Sequence, residues 1–160
     1  MTVNVDKLQM EEPSRKSALD RAANQIVEWQ LVMPDCEPLA MDFGSNDFDS
    51  YGLIEYWAAN ECEAGYCGKF MFIFDGQTCP LHSHANKHET FYIVRGQVKA
   101  VVNNKEQLLN PGDVLAIPTG QVHSFSGVGN ALILELSMPC LPEDNFFKQS
   151  WAKDWHKACM

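Results

Sequence analysis

Positive charge is scarce in this chain: 12 Lys and Arg stand against 21 Asp and Glu, a formal net charge of -9. That balance excludes nucleic acid and anionic membrane surfaces as expected partners, since both need basic patches. Arginine is scarcer still, with only Arg95 beyond Arg21. There is no basic cluster and no glycine-rich phosphate loop, which counts against a phosphorylated ligand. No stretch of 18 or more apolar residues is present, so no membrane-spanning helix is expected. The opening MTVNVDKLQMEEPSRK lacks an apolar h-region and does not read as a secretory signal. No CxxC pair occurs among the six cysteines, Cys36, Cys62, Cys67, Cys79, Cys140 and Cys159. They read mostly as free thiols of a cytoplasmic protein, and the spacing of Cys62 and Cys67 carries little zinc specificity. Internal repeats and low-complexity linkers are also missing.

What is present suits one globular domain. The 160 residues are 46% hydrophobic and 21% charged, enough for a real core. Residues 1 to about 13 read as polar and poorly ordered. A helix is expected from Ser14 or Ser17 to Leu31, because Leu19, Ala22, Ala23, Ile26 and Val27 recur at helical spacing, with Pro34 as its stop. Short strands follow: Gly52–Trp57, Lys69–Phe74, Thr78–His84, Glu89–Val94, Gln97–Val102, Glu106–Leu109, Asp113–Ile117, His123–Phe125 and Leu132–Ser137. Asn103-Asn104 reads as a tight hairpin turn. Many short strands with no helices between them predict an all-β antiparallel sandwich or barrel. The division expected is an N-terminal helical and loop extension (1–50) packing on a barrel (51–140), then a tail (141–160). Trp151 and Trp155, four apart, predict a short amphipathic helix in that tail.

The stretch Gly76 to Gly96, GQTCPLHSHANKHETFYIVRG, gathers His82, His84 and Glu89. Two residues apart on a strand, His82 and His84 point to one face. Glu89 opens the next strand and His123 a later one. If those faces line one interior, three imidazoles and a carboxylate converge as ligands of a divalent metal. The set suits manganese first, with zinc, iron, nickel and cobalt also compatible. The absence of thiolate argues against a structural zinc site. His88 lies off the Glu89 face and is not counted as a ligand. Cys79 lies close to the motif and could line the site, although a small buried residue beside it is the commoner fate.

These residues resemble the two cupin motifs. The first, G-x5-H-x-H-x(3,4)-E-x6-G, reads Gly76, His82, His84, Glu89, Gly96; the second reads Gly112, Pro118, Gly120, His123, then Gly127 where Asn is usual. The resemblance covers roughly Phe70 to Pro139. It implies a single-domain cupin, a double-stranded β-helix or jelly-roll barrel, with an N-terminal helix and a short C-terminal helical tail. Within that superfamily, Tyr66-Cys67-x-Lys69, the GQTCP-x-H-x-H run, Lys87-x-Glu89-Thr90-Phe91 and Glu135-Leu136-Ser137-Met138 are similar to small D-lyxose isomerases. The insertion those isomerases can carry between the second His and the Glu is absent here.

That resemblance implies metal-dependent aldose–ketose isomerisation of a free sugar. A metal stabilises charge developing on two sugar oxygens, and a base moves the C2 proton to C1. Glu135 is the first candidate for the base, because it interrupts the apolar strand Ala131–Leu136 and must face a polar cavity or a partner. Orienting a ligand histidine is its other open role. Lys69 and Lys87 are the cationic candidates, Lys69 with a solvent-facing position at a strand end as its simpler account. Phe91, Tyr92, Phe125 and Trp57 could stack on a sugar or pack the core. Asp144 and Asn145 could bind hydroxyls or simply form a turn. Two other functions share the ligand set: an Fe(II) dioxygenase of a small molecule, for which Arg95 offers an acid-binding group on the Glu89 face, and a non-enzymatic metal-containing binding module. Exposed strand edges and the aromatic tail suggest a homodimer.

Overall fold

The computed structural model describes residues 8–152. One helix, α1 (Ser14–Glu28), precedes nine strands: β1 (Leu39–Met41), β2 (Leu53–Glu61), β3 (Tyr66–Ile73), β4 (Thr78–Ser83), β5 (Glu89–Val102), β6 (Lys105–Leu109), β7 (Val114–Ile117), β8 (His123–Ser137) and β9 (Phe146–Phe147). All pairings between these strands are antiparallel. No helix among the described residues is long and apolar enough to cross a membrane.

The long strands β5 and β8 bend and serve two half-sheets. Their halves nearest Glu89 and Ser137 complete one sheet in the order β1-β2-β3-β8-β5-β7; their other halves form the second, in the order β6-β5-β8-β4-β9. The sequence suggested two strands in each case. The segments are continuous because irregular register, not a turn, makes the bend. In β5 the register shifts on both sides of Arg95. Gly96 sits there with φ of 70°, and a Cβ on it would fall 2.1 Å from the Asn130 carbonyl oxygen, so only glycine fits. Gly127 of β8 is similarly confined, since a Cβ would lie 2.3 Å from the Phe74 carbonyl oxygen. The asparagine usual at that motif position has no room here.

The bend reverses which residues face inward. Phe91 and Ile93 are buried before it, Val98 and Ala100 after it, and Arg95 is exposed. Simple alternation put Arg95 on the Glu89 face; the bulge turns it outward, where its guanidinium donates to the Val94 carbonyl.

Helix α1 lays Ala18, Ala22 and Ile26, spaced at four residues, on the outer sheet face formed by Ile54, Phe72 and Leu132. It ends at Glu28, earlier than the expected Leu31. Gln30 adopts φ of 57°, and the amides of Gln30 and Leu31 donate to Val27 and Ile26, closing the helix end before Pro34 is reached. The segment from Leu8 to Pro13, expected to be poorly ordered, is tied to β1: Met10 N–H donates to Ala40, and the Gln9 side chain bridges Pro38 and Ala40. The short edge strands β1 and β9 escaped the sequence reading because two or three residues carry no period. Of the expected tail helix, the described part is one 3-10 turn, Pro142–Asp144, followed by β9. Trp151 packs on Tyr51 at 4.9 Å between ring centres, and Trp155 lies outside the described residues.

Candidate metal centre and catalytic cavity

The barrel interior encloses a cavity of about 460 Å³ between the two half-sheets. His82 and His84 come from β4 and the residue after it, Glu89 opens β5, and His123 opens β8 directly opposite His82. All four are buried, and one ligand atom from each lies within 4.8 Å of the others.

The donor chemistry fits a metal. Each imidazole is held through Nδ1 by a backbone carbonyl: His82 by Pro80 at 2.7 Å, His84 by Asp144 at 2.9 Å and His123 by Gln121 at 3.0 Å. A carbonyl only accepts, so Nδ1 carries the proton and the Nε2 lone pair is free to ligate. The Nε2 atoms of His84 and His123 and Oε1 of Glu89 are fully buried; Oε1 stands 2.6 Å from His123 Nε2 and 3.6 Å from His84 Nε2, lone pair against lone pair, with no donor between them. Orphaned acceptors converging in an interior are costly unless a cation satisfies them. Burial, reinforced by His123 and His84, holds His82 well below its usual range; burial and the Lys87 ammonium hold His84 at about 4. Both are therefore neutral at pH 7, the ligating form. His88 is exposed and takes no part.

From Glu89 a line of alternating charge runs away from the ligands. Lys87 Nζ stands 2.6 Å from Glu89 Oε2 and 2.9 Å from Glu135 Oε1. Lys69 Nζ stands 3.4 Å from Glu135 Oε2 and 2.5 Å from Glu55 Oε1. The Ser137 hydroxyl also donates to Glu135 at 2.9 Å. All five charged groups are buried. Burial alone would raise the Glu135 carboxyl, but Lys69 and Lys87 hold it below its usual value; Lys87 does the same for Glu89. Burial would lower both lysines, yet Cys140, Glu135 and Glu55 carry Lys69 well above its usual range, and Glu135, Cys140 and Glu89 do so for Lys87. Glu89, Glu135, Lys69 and Lys87 are therefore ionised at neutral pH.

The structure thus brings together all seven residues singled out from sequence, His82, His84, Glu89, His123, Glu135, Lys87 and Lys69, on the cavity wall or at its ligand cluster. Lys69 corrects the solvent-facing account: β3 begins at Tyr66, so Lys69 lies inside the strand and points inward, beneath the Trp57 ring at 4.9 Å. Glu55 was missed, although Leu53-Ile54-Glu55-Tyr56 shows the same carboxylate within an apolar strand that marked Glu135. Phe91 and Phe125 line the cavity, while Tyr92 is exposed. Cys79 is buried and lines it too. Asp144 does not face the cavity as a ligand for hydroxyls. It is buried and accepts the backbone N–H groups of Ala85, Asn86 and Lys87, clamping the loop that carries Lys87.

Residues 70–138, which carry the buried three-histidine, one-glutamate cluster, match the family model described as Cupin domain. Among similar proteins is the D-lyxose/D-mannose isomerase of Thermosediminibacter oceani, 29% identical over 134 residues, covering 66% of this chain and 73% of that one. The D-lyxose ketol-isomerase of a Thermofilum species is 26% identical over 164 residues, covering 82% and 89%. Among solved structures, L-ribose isomerase of an Acinetobacter species in complex with L-ribose superposes with a TM-score of 0.76 over 93% of this chain and 96% of that chain, at 14% identity.

Proposed function

We propose that this protein is a metal-dependent aldose–ketose isomerase acting on a free sugar such as D-lyxose or D-mannose. The observation that carries the reading is Glu135: a buried carboxylate held between two ammoniums, on the wall of the cavity that the ligand cluster also lines. The isomerase relatives support the same reading. A divalent metal, with manganese the first choice, would be held by His82, His84, Glu89 and His123 and would supply Lewis-acid stabilisation of charge on two adjacent sugar oxygens.

The chain's own groups do the rest. Glu135 removes the proton on C2 of the open-chain aldose. The C–H electron pair becomes the C1–C2 double bond, and the carbonyl pair moves onto O1. Glu135 then returns its proton to C1, while the hydroxyl proton leaves O2 and one is gained at O1. Lys87 and Lys69 keep Glu135 ionised and aimed, and their ammoniums offset the negative charge that develops. The acid-binding argument for an Fe(II) dioxygenase loses its arginine, since Arg95 is on the outside.

The test is a screen of aldoses and ketoses of the pentose and hexose series with manganese-loaded protein and a metal-stripped control. Conversion of lyxose to xylulose or mannose to fructose only in the loaded sample is the expected result. No conversion of any sugar by protein with a full metal site refutes the isomerase. We also propose a homodimer. Tyr92, Val114 and Leu136 stand exposed on neighbouring strands of the outer sheet face, and light scattering should then give twice the monomer mass.

A further inference from the structure

The cavity has two chemically different ends. One is the charged line from the ligand cluster to Glu55. The other is reached by stepping along the sheet away from it. Trp57 pairs with Lys69, which pairs with Glu135; two residues back, Leu39 pairs with Glu55 and Glu55 with Met71; two further back, Met41 pairs with Leu53. At about 3.3 Å per residue, each step is about 7 Å. Leu39, Met41, Leu53 and Met71 are all buried and all line the cavity.

The polar side chains elsewhere on the wall are already engaged. Asn60 donates to the Cys140 carbonyl and accepts the Cys140 amide, both at 3.0 Å. Gln9 donates to Pro38 and accepts from Ala40 and Arg15. Asn145 gives its amide N–H groups to the carbonyls of Leu141 and Pro142. Glu37 binds Arg15, and Glu55 binds Lys69. Beyond Glu55 and the Leu39 and Met71 that flank it, a hydroxyl carried to the Met41–Leu53 end would leave water and meet hydrocarbon.

We infer that this end receives a methyl group, so that the preferred substrate is a terminally deoxygenated sugar, a 6-deoxyhexose, with its remaining hydroxyls on the charged side. The inference rests on the isomerase reading. A site that must desolvate one extra hydroxyl against an apolar wall discriminates by about tenfold to hundredfold.

The experiment compares kcat/KM for mannose and 6-deoxymannose, in both the D and L series, with manganese-loaded protein. In whichever series is turned over, the deoxy sugar should be favoured at least about tenfold. Leu53→Gln, which places an amide at that end, should erase the preference by raising kcat/KM for the hydroxylated sugar. Because that variant can misfold, a second measurement uses unaltered protein: the thermal shift given by 6-deoxymannitol against mannitol, neither of which reacts. A larger shift with the deoxyalditol supports the assignment. Equal or reversed kcat/KM overturns the inference and leaves the isomerase standing. If none of the four sugars is turned over, the pentose and hexose screen above decides the isomerase, and the alditol pair decides the character of the cavity end by itself, with an equal or smaller deoxyalditol shift rejecting it.

Discussion

Replacing Asp144 by alanine should loosen the site from behind. Asp144 is 5% exposed and its carboxylate accepts the amides of Ala85 at 2.9 Å, Asn86 at 3.1 Å and Lys87 at 2.9 Å, with the Asn86 side chain as a fourth donor. A hydrogen bond to a charged acceptor contributes about 1.5–3 kcal/mol, but Ala85 and Asn86 are exposed, so water replaces much of their loss. The Lys87 amide is buried and bears the full penalty. The sum is about 3 kcal/mol, or a fall in Tm of about 6–12 °C for a chain of this size. The consequence for the site is separate from the loss of stability. The loop presents the Lys87 ammonium between Glu89 and Glu135, and the Asp144 carbonyl holds His84. Manganese affinity, read by competition with a chelator at a temperature where the variant is fully folded, should fall about 10- to 100-fold, as when partners behind metal ligands are removed. Asp144→Asn, which retains one acceptor oxygen, should fall between. A Tm drop below about 2 °C would refute the hydrogen-bond reasoning. A full Tm drop with unchanged affinity would show that the clamp serves the fold alone.

Three further outcomes follow from the same geometry. Glu135→Gln should retain stoichiometric manganese while kcat falls about 10²- to 10⁴-fold; near-normal turnover assigns the proton transfer elsewhere. His82→Ala combined with His123→Ala should abolish metal binding in a barrel that still gives a folded circular-dichroism spectrum, and a stoichiometric ion retained in that variant contradicts the ligand set. In metal-stripped protein, His84 has its folded value near 4 against 6.5 when unfolded, so the unfolded state takes up the proton first as pH falls. Stability is then complete above about pH 6.5 and is lost on the way down to pH 4, by about 3 kcal/mol from this group alone. Urea unfolding at pH 7, 5.5 and 4.5 measures it, and stability independent of pH across that window counts against a buried neutral His84.

Which parts of this molecule could be read from sequence depends on the range of the physics involved. His82 and His84 were legible because a two-residue spacing on a strand fixes a shared face with no knowledge of the rest of the chain. Glu135 was legible because a carboxylate within Leu132-Ile133-Leu134 and Leu136 has no cheap solvent-facing solution. Arg95 was misplaced because alternation holds only until a bulge, and the reason for this bulge is the close approach of Asn130, 34 residues away from Gly96. Asp144 read as a turn residue because its partners lie 57 to 59 residues distant and are backbone amides, which leave no mark in the sequence. The strands β1 and β9 exist only through their partners.

The count of buried charges bears on the kind of anion the site can tolerate. Glu55, Glu135 and Glu89 with Lys69 and Lys87 leave one net negative charge, and His82 and His84, both held neutral, add none. With a divalent ion the site carries one net positive charge, and two once Glu135 has taken the C2 proton, against the single negative charge of the enediolate. Without either lysine the loaded site would be neutral before reaction and only one positive charge would face the anion, in a region where screening is weak. Lys69→Met therefore tests this balance at a residue that binds no metal ligand. It should leave manganese stoichiometry unchanged and lower kcat more than it raises KM, because the missing charge matters as the anion forms and far less for the neutral sugar. A Lys69→Met protein with full kcat would mean that the Glu55–Lys69 pair serves packing and that Lys87 alone balances the reaction.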